Sequence, residues 1–464
     1  MEKHNSINNS IKGIVTTFFQ TWTGDMVLFT FILCSRFLWI ILFPGVFNPT
    51  GRDIRYFRYI QILTYCLVFV FVVFKAILPI FTRTYKKPMA SSICLMVFFL
   101  FVCISRFLNR GAVFPSKEVL LLSIGELFMI TMLFYFIAPR NTSQQFDRLI
   151  TANGLLVFCC IFMLNIGSLY LFFAGKNTSL NVFGTLIERK NLFVGANAHS
   201  RLEEGRYFGL FSYPTVAGFR NVLSCILGLH LANNKKVPWI FTIANIIMAF
   251  VMIILADSRA AMINMIIVCV FAVSHFLYCK MHLSAKKIFL YIFCLVFGIL
   301  IALLVIKWQT LMEFLTRFSK DPVGVLNVFG SDRINLFVSC VEMAKQKPIF
   351  GHGWYSQITY IDNSHNLFGN LLAWTGFGGT MIFALFLIIA LLEMYQTKLV
   401  SIGSWYLVCL LICTMIQSLL DKAILGEMHN PETYMFWLCL GYFAKGTIKT
   451  RQLADTNKIQ NQVV

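Results

Sequence analysis

Four short groups of residues carry the side chains best suited to chemistry, and each combines an arginine or a histidine with small or turn-forming residues. They are Gly205-Arg206-Tyr207-Phe208-Gly209, Asp257-Ser258-Arg259-Ala260-Ala261, Asp332-Arg333 with Pro348, Gly351 and Gly353 behind it, and Ser364-His365-Asn366. A guanidinium binds phosphate through paired hydrogen bonds, and a neutral imidazole can accept a proton from a sugar hydroxyl. The residue types therefore indicate a phosphate-bearing substrate and a hydroxyl as its reaction partner.

Arg333 lies in the first turn of a predicted loop helix, which Ser331 caps, which starts near Asp332 and which ends before Pro348. A cation in the first turn opposes the helix dipole. A helix N-terminus and an arginine together nevertheless attract an anion, which makes Arg333 a candidate phosphate ligand. The alternative is a surface arginine that pairs with Asp332 or Asp362.

Arg259 lies in a turn with almost no loop between two apolar runs. Its guanidinium must therefore stay at the membrane–water boundary, where it could hold a lipid-linked phosphate at headgroup depth. The alternative is an arginine that reaches toward lipid headgroups without a specific ligand. Arg206 is a candidate with the same alternative.

His365 precedes Asn366 at the start of a predicted membrane span and is a candidate general base. The alternative is a helix-end histidine that bonds to Ser364 or to a backbone carbonyl. No second histidine or carboxylate stands at metal-ligand spacing, so we expect no metal site and no other cofactor.

The elements that must position these groups are transmembrane helices. Of the 464 residues, 58% are hydrophobic and 13% are charged, whereas a soluble protein needs more charge to cover its surface. A spanning helix takes about 20 apolar residues, so the chain predicts an all-α, polytopic bundle that forms one transmembrane domain over residues 1–464. The predicted spans are 26–47, 59–80, 89–107, 118–138, 149–174, 211–232, 238–256, 260–279, 286–307, 365–394, 401–420 and 431–446, twelve in all.

The net charge of +19 is spread in twos and threes between the apolar runs. This is the positive-inside pattern of membrane proteins rather than a nucleic-acid surface. It predicts that both termini are cytoplasmic and that two longer loops, 175–210 and 308–364, are external. The buried charges Arg36 and Glu126 are expected to pair with each other for structural reasons.

Taken in order, the four groups resemble the motifs of the O-antigen ligase and polymerase superfamily of bacterial envelope glycan enzymes. The similarity covers about residues 200 to 395. The matching positions are Arg206-x-x-Gly209 with Phe211 and Pro214, Ser258-Arg259-Ala260, Arg333 with Pro348, Gly351 and Gly353, and His365-Asn366 followed by Gly376 and Gly379.

This resemblance implies a metal-independent, inverting glycosyltransferase of the GT-C type in the cell (inner) membrane. Its donor would be a glycan on undecaprenyl pyrophosphate at the outer face. Arg259 and Arg333 would bind the pyrophosphate, His365 would lie at the acceptor hydroxyl, and Arg206 and Asn366 would belong to substrate-binding motifs. Other implied partners are membrane lipids and the chain-length regulator and flippase of the same pathway, with no nucleic acid.

We expect a polymerase that joins lipid-linked repeat units of O-antigen or capsular polysaccharide. The alternative from the same superfamily is a ligase that transfers the glycan to lipid A–core. A different class, a transporter or flippase of lipid-linked sugars, would also have many spans. Transporters often show inverted repeats and paired broken helices, and the sequence shows neither.

Overall fold

A computed structural model describes the central and C-terminal helices of the chain. The described residues are 90–110, 117–132, 143–175, 178–182, 185–194, 205–211, 213–279, 333–356, 366–396, 404–420 and 432–441, with 66, 70, 281, 287 and 443 in addition. These residues are mostly helical. The helices are α1 (Ala90–Leu108), α2 (Lys117–Met132), α3 (Ser143–Phe173), α4 (Pro214–Asn233), α5 (Trp239–Leu255), α6 (Arg259–Cys279), α7 (Arg333–Gln346), α8 (Leu367–Gln396), α9 (Trp405–Leu420) and α10 (432–441).

Five of the described helices, α1, α3, α4, α6 and α8, are long and apolar enough to cross a membrane. Helices α5 and α9 are apolar but shorter. These helices lie where spans were predicted, so a helical membrane protein is confirmed. The spans predicted at 26–47, 59–80 and 286–307 lie almost wholly outside the described residues. The total of twelve therefore stays a prediction.

Helix α4 is the central helix and is buried along nearly its whole length. It begins with Pro214 at its first helical position, where the fixed φ of proline suits a helix and its missing N–H costs nothing. Its polar side chains pair with neighbouring helices: Asn165 of α3 donates to Asn221 at 2.7 Å, and Asn245 of α5 donates to Ser224 at 3.0 Å. Such amide and hydroxyl contacts hold helices together where lipid supplies no hydrophobic drive.

A buried ion pair joins α4 to α10. The Arg220 Nε lies 3.3 Å from a Glu432 carboxylate oxygen, and the two side chains are 1% and 8% exposed. Sequence analysis predicted a different pair, Arg36 with Glu126, but the Arg36 residue and the Glu126 side chain lie outside the described part of the chain.

The loop between α3 and α4 contains short antiparallel strands that the all-α prediction did not anticipate. Strand β1 (Ser179–Val182) pairs with β2 (Thr185–Glu188), and β3 (Phe193–Val194) pairs with β4 (Arg206–Tyr207). The strands are two to four residues long. Pieces this short have too few alternating positions to give a periodic signal in the sequence.

Candidate functional site

Arg206 belongs to strand β4, and its side chain contacts the turn that precedes α6. The Nε of Arg206 donates to the carbonyl of Ala256 at 3.0 Å, and one of its terminal nitrogens donates to the carbonyl of Asp257 at 3.3 Å. The half-buried guanidinium therefore fixes the backbone immediately before Arg259. The first two predicted motifs, which are separated by some fifty residues of sequence, meet through these bonds.

Two residues that follow Arg206 anchor the chain to α3. The hydroxyl of Tyr207 donates to the carbonyl of Ser168 in α3 at 2.6 Å, and burial raises the pKa of this phenol. Gly209 has a φ of +59°, and a side chain there would collide with Ser168. The glycine of the Arg206-x-x-Gly209 motif is therefore required for the close approach of the chain to α3.

Arg189 is a further buried cation that sequence analysis did not single out. It is 8% exposed and lies between the rings of Phe172 and Phe193, with its guanidinium carbon 5.4 and 4.9 Å from their centres. Its Nε also donates to the carbonyl of Phe172 at 3.3 Å. Because Phe193 belongs to β3, this cation–π sandwich ties the ribbon to the end of α3.

Arg259 stands in the first turn of α6 with its side chain exposed. The preceding turn is tight: Asp257 has a φ of +45°, and the carbonyl of Ser258 accepts the first helical bond from Met262 at 3.0 Å. The Ser258 side chain is 2% exposed, and its hydroxyl oxygen has no hydrogen-bond partner among the described residues. An exposed guanidinium at a helix N-terminus is a favourable place for an anion.

Helix α6 crosses α4 closely at this end. A side chain at Gly218 would lie 2.7 Å from the Cβ of Ser258 and 2.8 Å from that of Ala261. Small residues on both helices therefore allow the turn that carries Arg259 to rest directly on α4.

Asn366 caps α8 and contacts α9. Its side-chain oxygen accepts from the N–H of Gly369 at 3.0 Å, and its nitrogen donates to the carbonyl of Leu419 at 2.7 Å. Nearby on α9, Gln417 accepts from Asn264 of α6 at 3.2 Å. The end of α9 thus links the start of α8 to the first turns of α6. Asn366 has both side-chain groups engaged in holding this arrangement.

Helix α8 lies where the span 365–394 was predicted, but the helix is interrupted at Gly376. Gly376 has φ +66° and ψ −169°, outside the helical region. The turn that follows α7 supplies the missing backbone partners: the N–H groups of His352 and Gly353 donate to the carbonyls of Ala373 and Trp374 at 3.0 and 2.9 Å. In the opposite direction, Phe377 donates to the carbonyl of Pro348 at 2.8 Å.

Two glycines make this docking possible. Gly351 has φ +61°, and a side chain there would strike the backbone of residues 374–376. A side chain at Gly376 would lie 2.6 Å from the carbonyl oxygen of Pro348. The predicted Pro348, Gly351 and Gly376 positions therefore act together as one backbone junction between the loop helix α7 and the bundle.

Helix α1 closes the junction with side chains that sequence analysis did not identify. Ser105 donates to the carbonyl of Phe350, and Asn109 donates to the carbonyl of Gly351 at 3.1 Å. Lys347 donates to the side-chain oxygen of Asn109 at 2.7 Å. Isolated polar residues at a helix end gave no distinctive sequence signal.

His352 belongs to the same junction. Burial lowers the pKa of its imidazole, so the ring is neutral near pH 7. Its Nε2 lies 3.2 Å from the carbonyl oxygen of Met343, and the ring nitrogen is the donor because a carbonyl can only accept.

The remaining predicted residues are only partly located. Helix α7 begins at Arg333, one residue from the start predicted near Asp332. The Arg333 side chain and the whole of His365 lie outside the described part of the chain. Among the described residues, no group of three or more His, Cys, Asp or Glu side chains could hold a metal ion. The structure thus brings three of the predicted residues, Arg206, Arg259 and Asn366, to helix ends that are linked by hydrogen bonds. The backbone junction connects α8 to α7, which begins at Arg333.

Part of the sequence is similar to a known protein family. Residues 244–384 match the family described as O-antigen ligase. The matched segment contains Arg259, Arg333, His365 and Asn366 but not Arg206. No curated protein matches the sequence significantly. This match at residues 244–384 supports the resemblance of the chain to the O-antigen ligase and polymerase superfamily.

Proposed function

We propose that the protein is a glycosyltransferase that polymerises undecaprenyl-pyrophosphate-linked repeat units of O-antigen or capsular polysaccharide. It would act as a single transmembrane domain at the outer face of the cell membrane, with both termini in the cytoplasm. The similarity to the O-antigen ligase family implies that the substrate is a lipid-linked glycan and that membrane lipids surround the site.

The observation that carries the proposal is the docking of Arg206 on the turn before Arg259. Two backbone carbonyls of that turn accept from Arg206, and the side chain of Arg259 is exposed in the first turn of α6. The pyrophosphate is assigned to this helix N-terminus because the guanidinium and the helix dipole both favour a dianion there. Arg206 then serves chiefly to hold Arg259 in place.

Arg333 is proposed as the second pyrophosphate ligand. It opens α7, so it too combines a guanidinium with a helix N-terminus. The backbone junction at Gly376 fixes the far end of α7 against α8. Such rigid support from a packed helix and a broken span favours precise placement of a loop residue.

The reaction is an inverting transfer. The acceptor hydroxyl oxygen forms a bond to the anomeric carbon, the bond from that carbon to the pyrophosphate oxygen breaks, and the electron pair leaves with the pyrophosphate. His365 takes the proton of the hydroxyl as general base. The two arginines stabilise the negative charge that develops on the leaving pyrophosphate, which is work that needs no metal ion.

The choice of acceptor distinguishes a polymerase from a ligase. We assign a second lipid-linked repeat unit as acceptor because the chain shares the core motifs of a superfamily in which polymerases are the more varied members. A ligase that uses lipid A–core is the second candidate, and the description of the matched family names that activity. Flippase and chain-length regulator are proposed as partners of the same pathway.

The test is a reconstituted assay in which the purified protein receives only undecaprenyl-pyrophosphate-linked repeats. Chain growth is expected from the wild type. Replacement of Arg259, Arg333 or His365 with Ala should abolish or severely slow it, by roughly 100- to 10,000-fold for the loss of a general base. Lysine at either arginine position should rescue poorly because it lacks the two-pronged guanidinium.

A matched control is Arg110→Ala, which removes an exposed arginine at the end of α1 that contacts only the ring of Phe107 in the described contacts. This variant should retain activity. Product that forms only after lipid A–core is added rejects the polymerase in favour of the ligase. Full turnover by the Arg259 and Arg333 variants refutes the anion site, and unaltered turnover by His365→Ala removes His365 from the mechanism.

A further inference from the structure

An aromatic turn directly follows the junction glycines and has no role in the chemistry described above. Tyr355 stacks on Trp374 with ring centres 4.8 Å apart and an interplanar angle of 26°. Trp354 meets Trp374 edge-on at 5.2 Å and Phe98 of α1 at 6.2 Å. The rings therefore form a continuous stack that starts in the helix bundle and ends at Tyr355.

Only the last ring of this stack is accessible. Trp354 is fully buried and Trp374 is 8% exposed, whereas Tyr355 is half-buried. Aromatic residues of a membrane interface stand with their rings in the lipid headgroup layer, as the half-exposed Tyr213 and Trp239 can. The buried tryptophans do not fit that description, and their packing makes Tyr355 a rigid platform.

The backbone at Tyr355 is strained. Its φ of +58° lies in the left-handed region, which costs a residue with a large side chain energy that glycine would avoid. The strain is held by neighbouring backbone bonds, since Gly353 donates to Trp374 at 2.9 Å and Ser356 donates to the carbonyl of Gly353 at 3.1 Å. Strain that is maintained in this way is typical of residues that position a ligand.

Two buried polar atoms flank the tyrosine. The indole nitrogen of Trp354 and the hydroxyl of Ser356 have no hydrogen-bond partner among the described residues, although their side chains are 0% and 6% exposed. Such unsatisfied buried polar groups are costly, so this turn, like the strain at Tyr355, is not optimised for stability alone. The partly exposed, flat face of Tyr355 matches the apolar C–H face of a pyranose ring.

We propose that Tyr355, supported by Trp374, forms a subsite that stacks on a sugar ring of the lipid-linked glycan. The proposal rests on the proposed function. Within that function, the subsite is assigned to the sugars of the donor that follow the pyrophosphate.

The test compares binding of two probes to the purified full-length protein in lipid nanodiscs. One probe is undecaprenyl pyrophosphate without sugar, and the other is the undecaprenyl-pyrophosphate-linked repeat extracted from the native host. The wild type should bind the glycan-bearing lipid more tightly. Tyr355→Ala should weaken that binding by roughly 3- to 10-fold, as expected for one lost aromatic contact. The affinity for the sugar-free lipid should stay unchanged.

Further variants separate the ring from the strain. Tyr355→Phe keeps the stacking face and should bind both probes as the wild type does. Tyr355→Gly removes the ring together with the unfavourable φ, so it should lose the same affinity as Tyr355→Ala while folding at least as well. Tyr395→Ala, which removes a tyrosine that is 84% exposed at the far end of α8, is the matched control and should change nothing.

The outcomes distinguish this subsite from the anion site. Equal affinity of the wild type for the two probes, or unaltered glycan binding by both Tyr355→Ala and Tyr355→Gly, overturns the subsite while the pyrophosphate assignment stands. A loss that is equal for both probes also overturns it, because the ring would then act through the anion site or the fold. Failure of the wild type to bind either probe refutes the proposed function itself.

Discussion

Replacement of Gly376 with alanine tests whether the backbone junction positions the external loop helix. Gly376 combines φ +66° with ψ −169°, a region that is open essentially only to glycine. An alanine Cβ would lie 2.6 Å from the carbonyl oxygen of Pro348 and 2.8 Å from the nitrogen of Gly351. Both neighbours are backbone atoms, so neither can rotate away as a flexible side chain could.

The size of the effect follows from these contacts. Forcing a residue with a side chain into this conformation costs about 1–3 kcal/mol. Moving the turn away to relieve the clash would break its three backbone bonds to α8, and each buried bond lost contributes about 1 kcal/mol or more. Accepting the strain therefore costs about 1–3 kcal/mol. Moving the turn costs on the order of 3 kcal/mol and displaces α7 with Arg333.

The assay measures thermal unfolding of the detergent-purified protein together with glycan transfer in the reconstituted system. Gly376→Ala should lower the melting temperature and lose most activity. The matched control is Gly125→Ala in α2, where an added Cβ meets nothing within 4 Å and alanine favours the helix by about 1 kcal/mol. A Gly376→Ala variant that melts and turns over like the wild type would refute the reasoning, because the junction would then tolerate displacement.

Two other predictions concern stability and topology. Glu432→Ala should cost about 3–5 kcal/mol of unfolding free energy because it leaves the buried Arg220 without its counter-charge; a charge-reversed double variant should regain part of the melting temperature. Glu342→Ala breaks an exposed ion pair and should leave the melting temperature nearly unchanged. An equal effect of both variants would contradict this. In intact cells, a membrane-impermeant thiol reagent should label Lys345→Cys above the parent protein but not Lys235→Cys; the reverse pattern would move the proposed site to the cytoplasm.

Much of the helical architecture could be predicted from hydrophobic runs. A segment that crosses lipid must form its backbone hydrogen bonds within the protein. A long apolar run such as Arg259–Cys279 is therefore expected to be helical. The start of the loop helix was predicted near Asp332, within one residue of its start at Arg333, because capping and proline rules act within a few residues. The residues of the candidate site could be named for a similar reason, since arginine and histidine beside turn residues stand out in an apolar chain.

The contacts among those residues depend on pairs far apart in the sequence, and no local rule predicts them. The role of Arg206 as a support for the turn before Arg259 arises from two carbonyl bonds. The buried ion pair of Arg220 with Glu432 likewise joins residues that are far apart in the sequence. Each of these two charges lies in a predicted span, and a charge inside a span usually has a partner within the membrane.

The break at Gly376 shows most clearly how local sequence rules differ from contacts between distant residues. The apolar run at residues 365–394 was enough to predict a helix, because hydrophobicity and helix propensity are properties of the segment alone. Its interruption was not predictable from the segment, since a glycine within an apolar run is tolerated in an unbroken helix as well. The interruption is stable because a turn from another part of the chain satisfies the backbone groups that it exposes.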